Sequence, residues 1–430
     1  MKQHSRRLVF ASALAVLAAT IAASAASADI DAAFKAFWAA RTPQEAAKVV
    51  PDVIRSGVTV DEALKRLKAG RPYSATVQKG IVKASYKAHG KEFFYAVNVP
   101  ASYDPAGRYR VRFQLHGGVM RPSNQPRGDG TIGALAGDEQ IYIIPYAWAD
   151  APWWAEDQLD NLSAILDTVK RTYNVDENRV ALAGVSDGAT GAFYVAMRNT
   201  TPFASFLPLN GNMLVFRSED IHAGDLFPNN LRNKPWFVVN GGRDPLYPTS
   251  AVGPYVEHLK KKGVEVVYKP QPNGVHNTAW WPEVKESFEA FVRNHPRKPL
   301  AETLTWETNG TPVDNRAHWL VIDKLAPKGP NQPNLPDVNL ITDVGPMIFE
   351  STRPSGRVDL VRSGNTVTAT TTGVAAFTLL LSPDAFDLSQ PVKVEANGRT
   401  VFNGRVDPSV ARSSSGLRGT TIGRCCSRRS

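Results

Sequence analysis

The chain has 430 residues, of which 43% are hydrophobic and 21% are charged, and its formal net charge is +10. This composition excludes a disordered or membrane-spanning protein, and the length gives room for two domains. Residues 1–28 carry three of the net positive charges and residues 412–430 carry five, which leaves +2 for residues 29–411. A nearly neutral body gives no reason to expect a nucleic-acid partner.

The first 28 residues have the pattern of a secretory signal peptide. Three basic residues precede an apolar run, and the small residues at 26–28 offer a cleavage site. The stretch "SRRLVF" also resembles a twin-arginine export signal, and a membrane anchor is the alternative interpretation of the apolar run. We therefore expect an exported protein, periplasmic or extracellular, with no membrane association after the signal is removed.

Residues 29–75 are predicted to be helical, because two capping-box patterns, TPQE at 42–45 and TVDE at 59–62, are each followed by apolar residues at helical spacing. From residue 76 to 297, short β-like runs lead into strands that alternate with helices. This alternation predicts an α/β domain with a mostly parallel sheet covered by helices on both faces. Residues 298–411 contain Pro-rich connections and further β-like runs, which predict a separate, small β-rich domain.

Both cysteines, Cys425 and Cys426, lie in the arginine-rich segment 412–430, which we expect to be a disordered tail. Residues 29–411 contain no cysteine, so the stability of the body is expected to come from core burial. No cluster of Cys and His suggests a zinc site. We expect neither a metal nor an organic cofactor.

The stretch "LAGVSDGATG" at 182–191 places Ser186 between Gly184 and Gly188, directly after an apolar run. These glycines permit a tight strand-to-helix turn that exposes the serine hydroxyl and points the N–H of Asp187 at a developing oxyanion. Upstream, "QLHGG" ends another predicted strand, and the N–H of Gly118 would complete an oxyanion hole. Each pattern alone is also typical of an ordinary turn.

A reactive serine needs a base, and candidates follow two later strands. Asp244 follows "PWFVVNGG", and His276 lies in the loop after "VEVVYKP". Because reactive groups in a parallel sheet collect at the carboxyl ends of the strands, we expect both to lie near Ser186. The spacing of 58 residues from Ser186 to Asp244 and of 32 more to His276, with each residue after a strand, is hard to obtain by chance.

With these motifs in place, residues 80–296 resemble the α/β-hydrolase fold family over about half of the chain. The stretches "VDENRVALAGVSDGA" and "YDPAGRYRVRFQLHGG" are similar to secreted esterases of the feruloyl-esterase and polyhydroxybutyrate-depolymerase type, and to prolyl-oligopeptidase-like catalytic domains. The resemblance implies that Ser186 is the nucleophile, that His276 is the general base and then acid, and that Asp244 orients His276. It implies an esterase acting on a small-molecule or polymer ester. A serine peptidase and a catalytically silent binding module are the alternatives.

Five tryptophans lie in loops near these motifs and are candidates for substrate binding. One group follows the strand "IYIIPY" and the other follows His276, and they are Trp148, Trp153, Trp154, Trp280 and Trp281. Loops at the same sheet edge as Ser186 would bring their rings together into an apolar or sugar-stacking pocket. Packing in the core is the alternative.

Overall fold

The computed structural model describes residues 29–126, 128–217, 225–310, 314–327, 355–407 and 424–426. The predicted signal peptide and most of the predicted tail lie outside the described residues. The chain divides into two compact units: one comprises the chain up to Pro72, Leu379–Val392 and Asn403–Arg424, and the other comprises Tyr73–Thr378, Lys393–Phe402 and the residues from Cys425. Among the described residues, no helix is both long enough and apolar enough to cross a membrane.

The first unit begins with three helices: α1 (residues 29–39), α2 (Pro43–Arg55) and α3 (Val60–Ala69). The side chains of Thr42 and Thr59 accept hydrogen bonds from the N–H groups of Glu45 and Glu62, which is the capping that the sequence predicts. Apolar residues from all three helices form a small core, and its members include Phe34, Phe37, Val53 and Ala63.

The second unit contains an eight-stranded sheet with the order β1-β2-β4-β3-β5-β6-β7-β8. The strands are β1 (Gly80–Ala88), β2 (Lys91–Val99), β3 (Tyr109–Leu115), β4 (Ile141–Pro145), β5 (Val175–Val185), β6 (Ser205–Leu209), β7 (Trp236–Gly241) and β8 (Val266–Gln271). The β1/β2 and β2/β4 pairs are antiparallel, and every other pair is parallel. The helices are α4 (Glu156–Thr172), α5 (Asp187–Arg198), α6 (Thr249–Lys261) and α7 (Trp281–Asn294), with 3-10 turns at Gly133–Leu135, Met213–Arg217 and Pro228–Asn233.

Alternating side chains of the central strands supply a core on each face of this sheet. On β3, Val111, Phe113 and Leu115 join the larger core, which also contains apolar residues of α4, α5 and α6. Arg112 and Gln114 alternate with them and therefore face the other side. That side has its own core, which the apolar face of α7 covers. The predicted fold class, a mostly parallel sheet flanked by helices, is confirmed.

The C-terminal part of the chain is β-rich, as predicted. Its strands are β9 (Thr303–Thr308), β10 (Arg316–Ala317), β11 (Leu320–Leu325), β12 (Gly356–Ser363), β13 (Thr366–Thr372), β14 (Val374–Leu379), β15 (Val392–Ala396), β16 (Arg399–Gly404) and β17 (Arg424–Cys426). They form two sheets with the orders β10-β11-β14-β17 and β16-β15-β13-β12-β9. Asn397 and Gly398, both with positive φ, form the tight turn between β15 and β16.

The strands from β9 to β13 belong to the same compact unit as the eight-stranded sheet. The carboxamide of Asn230 accepts from the N–H of Glu307 at 2.7 Å and donates to its carbonyl oxygen at 2.9 Å. Asn233 pairs in the same way with both backbone groups of Thr305, at 3.0 and 2.6 Å. These two amide side chains thus form hydrogen bonds with backbone N–H and C=O groups of β9, as a neighbouring strand would.

Candidate active site

Ser186 lies in a strained turn between β5 and α5. Its backbone has φ 56° and ψ −120°, a conformation that L residues rarely adopt. A Cβ on Gly184 would overlap the carbonyl group of Gly188, and a Cβ on Gly188 would overlap the carbonyl group of Leu115. Glycine at both positions therefore lets α5 begin directly against the sheet, which leaves the hydroxyl of Ser186 at the carboxyl end of β5.

The structure brings Ser186, His276 and Asp244 into one hydrogen-bonded series. The Ser186 hydroxyl donates to Nε2 of His276 at 3.0 Å, and Nδ1–H of His276 donates to Oδ2 of Asp244 at 2.8 Å. The other carboxylate oxygen of Asp244 accepts from the N–H groups of Leu246 and Tyr247, at 2.8 and 3.0 Å. The Asp244 side chain is fully enclosed, whereas 26% of the His276 side chain is exposed. This arrangement presents the Nε2 lone pair of the imidazole to the hydroxyl, so the imidazole can accept its proton.

Two further residues hold the loop of His276 in place, and the sequence analysis missed both. Asn210 follows β6, the strand between β5 and β7, and its amide donates to the carbonyl oxygen of Asn277 at 2.6 Å. The ring of Tyr247 stacks on the ring of His276 with 6.0 Å between their centroids. The Asn-Gly pair at 210–211 after a strand was the available signal for Asn210, but such pairs are also typical of plain turns.

The loop after β3 packs against Ser186. A Cβ on Gly117 would lie 2.8 Å from Cβ of Ser186, so only a glycine leaves room for the serine side chain. The N–H of Val119 donates to the carboxylate of Asp187 at 2.9 Å, which ties this loop to the start of α5. Within the described chain, the N–H groups of Gly118 and Asp187 have no backbone partner, so both remain available to an oxyanion.

His116 acts as a support for this loop. Its Nδ1–H donates to the carbonyl oxygen of Gly117 at 2.9 Å, and its Nε2 accepts from the N–H of Ala147 at 3.1 Å. The indole of Trp153 donates to the carbonyl oxygen of His116 at 2.7 Å. Burial lowers the pKa of His116, so the ring is neutral and can make both bonds. Because C=O and N–H point in opposite directions across a trans peptide, the bond to Gly117 aims the N–H of Gly118 away from the ring.

The fit between Gly117 and Ser186 leads to a stability prediction. In Gly117→Ala, the new Cβ would meet Cβ of Ser186 at 2.8 Å and the carbonyl oxygen of Val185 at 3.1 Å. We expect this overpacking to lower the free energy of unfolding by about 1–3 kcal/mol in urea titrations. Gly253→Ala is the matched control, because nothing lies within 4 Å of its Cβ position in α6. That helix substitution is expected to raise stability by about 0.5–1 kcal/mol, and equal effects of the two changes would contradict the prediction.

The structure buries all five tryptophans that are candidates for substrate binding. Their exposed fractions are 4% for Trp148, 0% for Trp153, 4% for Trp154, 5% for Trp280 and 4% for Trp281. The ring of Trp148 packs against Phe93, and the tryptophans at 280 and 281 lie in the core beneath α7. Rings of this size bury the most apolar surface when they turn inward, and here all five pack in the core.

A cavity of about 420 Å³ opens beside the site. Its walls reach Gly117 and Val185, the neighbours of Ser186, and its interior is lined by Gln114, Ile144 and Tyr146 among others. The segment between β3 and β4 supplies most of the remaining lining, including Arg121 and Asp129. Its volume is in the range of small-molecule sites, and its lining reaches residues that are next to Ser186.

Among the described residues, no group of three or more His, Cys, Asp or Glu side chains is arranged to hold a metal ion. Within the site, His276 and Asp244 are engaged with each other, with Ser186 and with backbone N–H groups. Their hydrogen bonds orient them for proton transfer.

No protein-family model and no curated protein matches the chain. Similar solved structures include a thermostable esterase, with 22% identity and a TM-score of 0.40 over 50% of this chain and 63% of that chain. A ferulic acid esterase has 18% identity and a TM-score of 0.40 over 50% of this chain and 99% of that chain. A putative dipeptidyl aminopeptidase IV from Bacteroides ovatus has 15% identity and a TM-score of 0.42 over 52% of this chain and 37% of that chain. These are esterases and a peptidase, the kinds of protein that the sequence motifs resemble. At such low identities and TM-scores, the matches say nothing about the reaction or the substrate.

Proposed function

We propose that this chain, which has the α/β-hydrolase fold, is an exported serine hydrolase that cleaves carboxylic esters through an acyl-enzyme intermediate. The observation that supports this most strongly is the series of hydrogen bonds from Ser186 through His276 to Asp244, at 3.0 and 2.8 Å. Export rests on the signal-like residues 1–28, and no metal or organic cofactor enters the proposed reaction.

The reaction runs in two halves. In the first, Oγ of Ser186 attacks the ester carbonyl carbon while Nε2 of His276 takes the hydroxyl proton. The oxyanion is stabilised by the N–H groups of Gly118 and Asp187, and its collapse releases the alcohol, which receives the proton from His276. In the second half, His276 takes a proton from water, the resulting attack frees the carboxylic acid, and the proton returns to Ser186. Asp244 stabilises the imidazolium each time it forms.

The cavity supports a substrate that is a small-molecule or polymer ester, with its acyl group next to Gly117 and Val185. The nearly neutral charge of residues 29–411 offers no attraction for nucleic acid. The same three groups would also serve a serine peptidase, and a silent scaffold would keep them without turnover. The substrate bond therefore has to be established by assay.

A serine-directed fluorophosphonate probe tests the proposal directly. We expect the probe to attach to Ser186 of the folded protein, as located by peptide mass spectrometry, because His276 activates only this hydroxyl. Chromogenic short-chain esters are expected to be hydrolysed much faster than prolyl-peptide amides. The absence of both labelling and ester turnover would favour the silent scaffold, and preferential cleavage of the amides would favour the peptidase.

A further inference from the structure

Two polar side chains, Gln114 and Tyr146, line the cavity, and the amide nitrogen of Gln114 is buried without a hydrogen-bond partner in the described chain. Gln114 is 8% exposed, and its Nε2 is enclosed with no acceptor. Tyr146 is 9% exposed and lies near the negative charge of Asp129. Buried polar groups are paired in the great majority of cases, so the unpaired amide nitrogen of Gln114 in this cavity calls for an explanation.

These two side chains lie close together on the same face of the sheet. The parallel register pairs Phe113 of β3 with Ile143 of β4, so Gln114 lies beside Ile144 and Tyr146 follows two positions later. The ring centroid of Tyr146 is 5.8 Å from that of His116, the residue that supports the loop after β3. Since neighbouring strands are about 5 Å apart, one bound group can reach both polar side chains.

Buried polar contacts hold the cavity wall near Gln114 and Tyr146 in place. The wall therefore cannot easily move inward to supply hydrogen-bond partners for these side chains. Arg112, on the same face of β3 as Gln114, donates to the carbonyl oxygen of Leu135, which lines the cavity. Its guanidinium also pairs with Glu289 at 3.0 Å, and both side chains are 1% exposed. A buried pair with these bonds holds Leu135 in place and keeps the cavity open.

The charges around the cavity indicate which kind of oxygen it accepts. Both the Tyr146 hydroxyl and the Gln114 amide can donate a hydrogen bond, and the amide can present either its nitrogen or its oxygen after a half-turn of its last torsion. Burial and the negative charge of Asp129 raise the pKa of Tyr146, so its hydroxyl keeps its proton. The same negative charge would repel a carboxylate placed beside the hydroxyl. Arg121, a cation that lines the same cavity, is exposed, and its guanidinium lies next to Gly118.

We propose that Gln114 and Tyr146 form a subsite for an uncharged oxygen on the acyl group, such as a ketone or an ether. The proposal rests on the proposed function, because it assigns this cavity to the acyl side of Ser186. It predicts a preference for acyl groups that carry an acceptor over hydrocarbon groups of the same shape, since the hydrocarbon leaves both donors unpaired.

Two matched esters test this preference: p-nitrophenyl 4-oxocyclohexanecarboxylate and p-nitrophenyl 4-methylidenecyclohexanecarboxylate, which differ by C=O against C=CH₂. We expect kcat/KM to be about tenfold higher for the oxo ester, after division by the rates of hydroxide-catalysed hydrolysis. The mono-p-nitrophenyl ester of cyclohexane-1,4-dicarboxylic acid is a third substrate, which carries a negatively charged carboxylate at the same ring position. A ratio near one, or a preference for the charged ester, would overturn the proposal.

Substitutions then assign the preference to these residues. In Gln114→Leu and in Tyr146→Phe, we expect the ratio of oxo to methylidene ester to fall at least threefold. Tyr268→Phe is the control, because it too removes a tyrosine hydroxyl, but from β8 and outside the cavity. The control is expected to leave the ratio unchanged. A ratio that persists in both cavity variants, each with a melting temperature near that of the wild type, would refute the subsite.

Binding to the Ser186→Ala variant separates this proposal from the proposed function. Calorimetry with the two intact esters needs no turnover, and we expect the oxo ester to bind about tenfold more tightly. If the wild type hydrolyses neither ester but the variant shows this difference, the subsite stands and the hydrolase proposal fails. If hydrolysis is efficient but neither kcat/KM nor binding distinguishes the two esters, the hydrolase proposal stands and the subsite fails.

Discussion

Ser186→Ala is expected to lower kcat/KM for a chromogenic ester by about 10⁵- to 10⁶-fold. The hydroxyl that His276 contacts at 3.0 Å is the group that we propose forms the acyl-enzyme, and a methyl group cannot replace it. The residual rate would come from water attacking an ester that the two N–H groups still polarise. Stopped assays with a large amount of enzyme would measure the loss.

Ser205→Ala serves as the control for this prediction. Ser205 lies in the neighbouring strand β6, is fully buried, and its hydroxyl has no partner within the described chain. We expect that variant to keep its activity within about twofold, because Ser205 begins β6 and lies at the end of the sheet opposite to Ser186. Near-normal turnover by Ser186→Ala, with correct folding shown by circular dichroism, would defeat the assignment of the nucleophile.

Asp244→Asn is expected to lower kcat by about 10⁴-fold while leaving the fold intact. Its remaining oxygen can still accept from the N–H groups of Leu246 and Tyr247, so the loop keeps its shape. The new amide, however, donates toward Nδ1 of His276, which forces the imidazole proton onto Nε2. Nε2 then has no lone pair for the proton of Ser186, and the base is lost.

The control for this change is Asp176→Asn, in the turn at the start of β5. Asp176 accepts from the N–H of Asn178 at 3.0 Å and lies 3.4 Å from the guanidinium of Arg179, near the end of β5 opposite to Ser186. We expect full activity from it. A loss at Asp244→Asn of less than tenfold would show that the carboxylate does not set the tautomer of His276.

The positions of the three candidate catalytic residues could be predicted because a parallel sheet imposes a simple rule. Ser186, Asp244 and His276 each follow a strand, and the carboxyl ends of β5, β7 and β8 lie along one edge. The order of motifs along the chain therefore carries information about their meeting in space. Asn210 obeys the same rule after β6, but an asparagine after a strand is too common to single out.

The lining of the cavity could not be predicted in this way. Whether a loop tryptophan turns toward solvent or toward the core depends on the neighbours it meets, and Trp153 meets His116 and the core. Gln114 alternates with apolar residues on β3, as Arg110 and Arg112 do, and this pattern is equally compatible with a paired or an unpaired amide. The pairing of Asn230 and Asn233 with β9 joins residues that are 72 to 77 positions apart, and local patterns carry no trace of it.

The cavity and the proton-transfer groups come from different stretches of the chain. Gln114, Tyr146 and the connection between β3 and β4 shape the cavity, whereas Ser186, Asp244 and His276 follow β5, β7 and β8. We therefore expect that directed evolution of the residues that shape the cavity alters selectivity for the acyl group. Turnover of a simple acetate ester would serve as a constant reference. Libraries confined to residues 121–132 would retain the machinery for bond cleavage and vary only which acyl group reaches it.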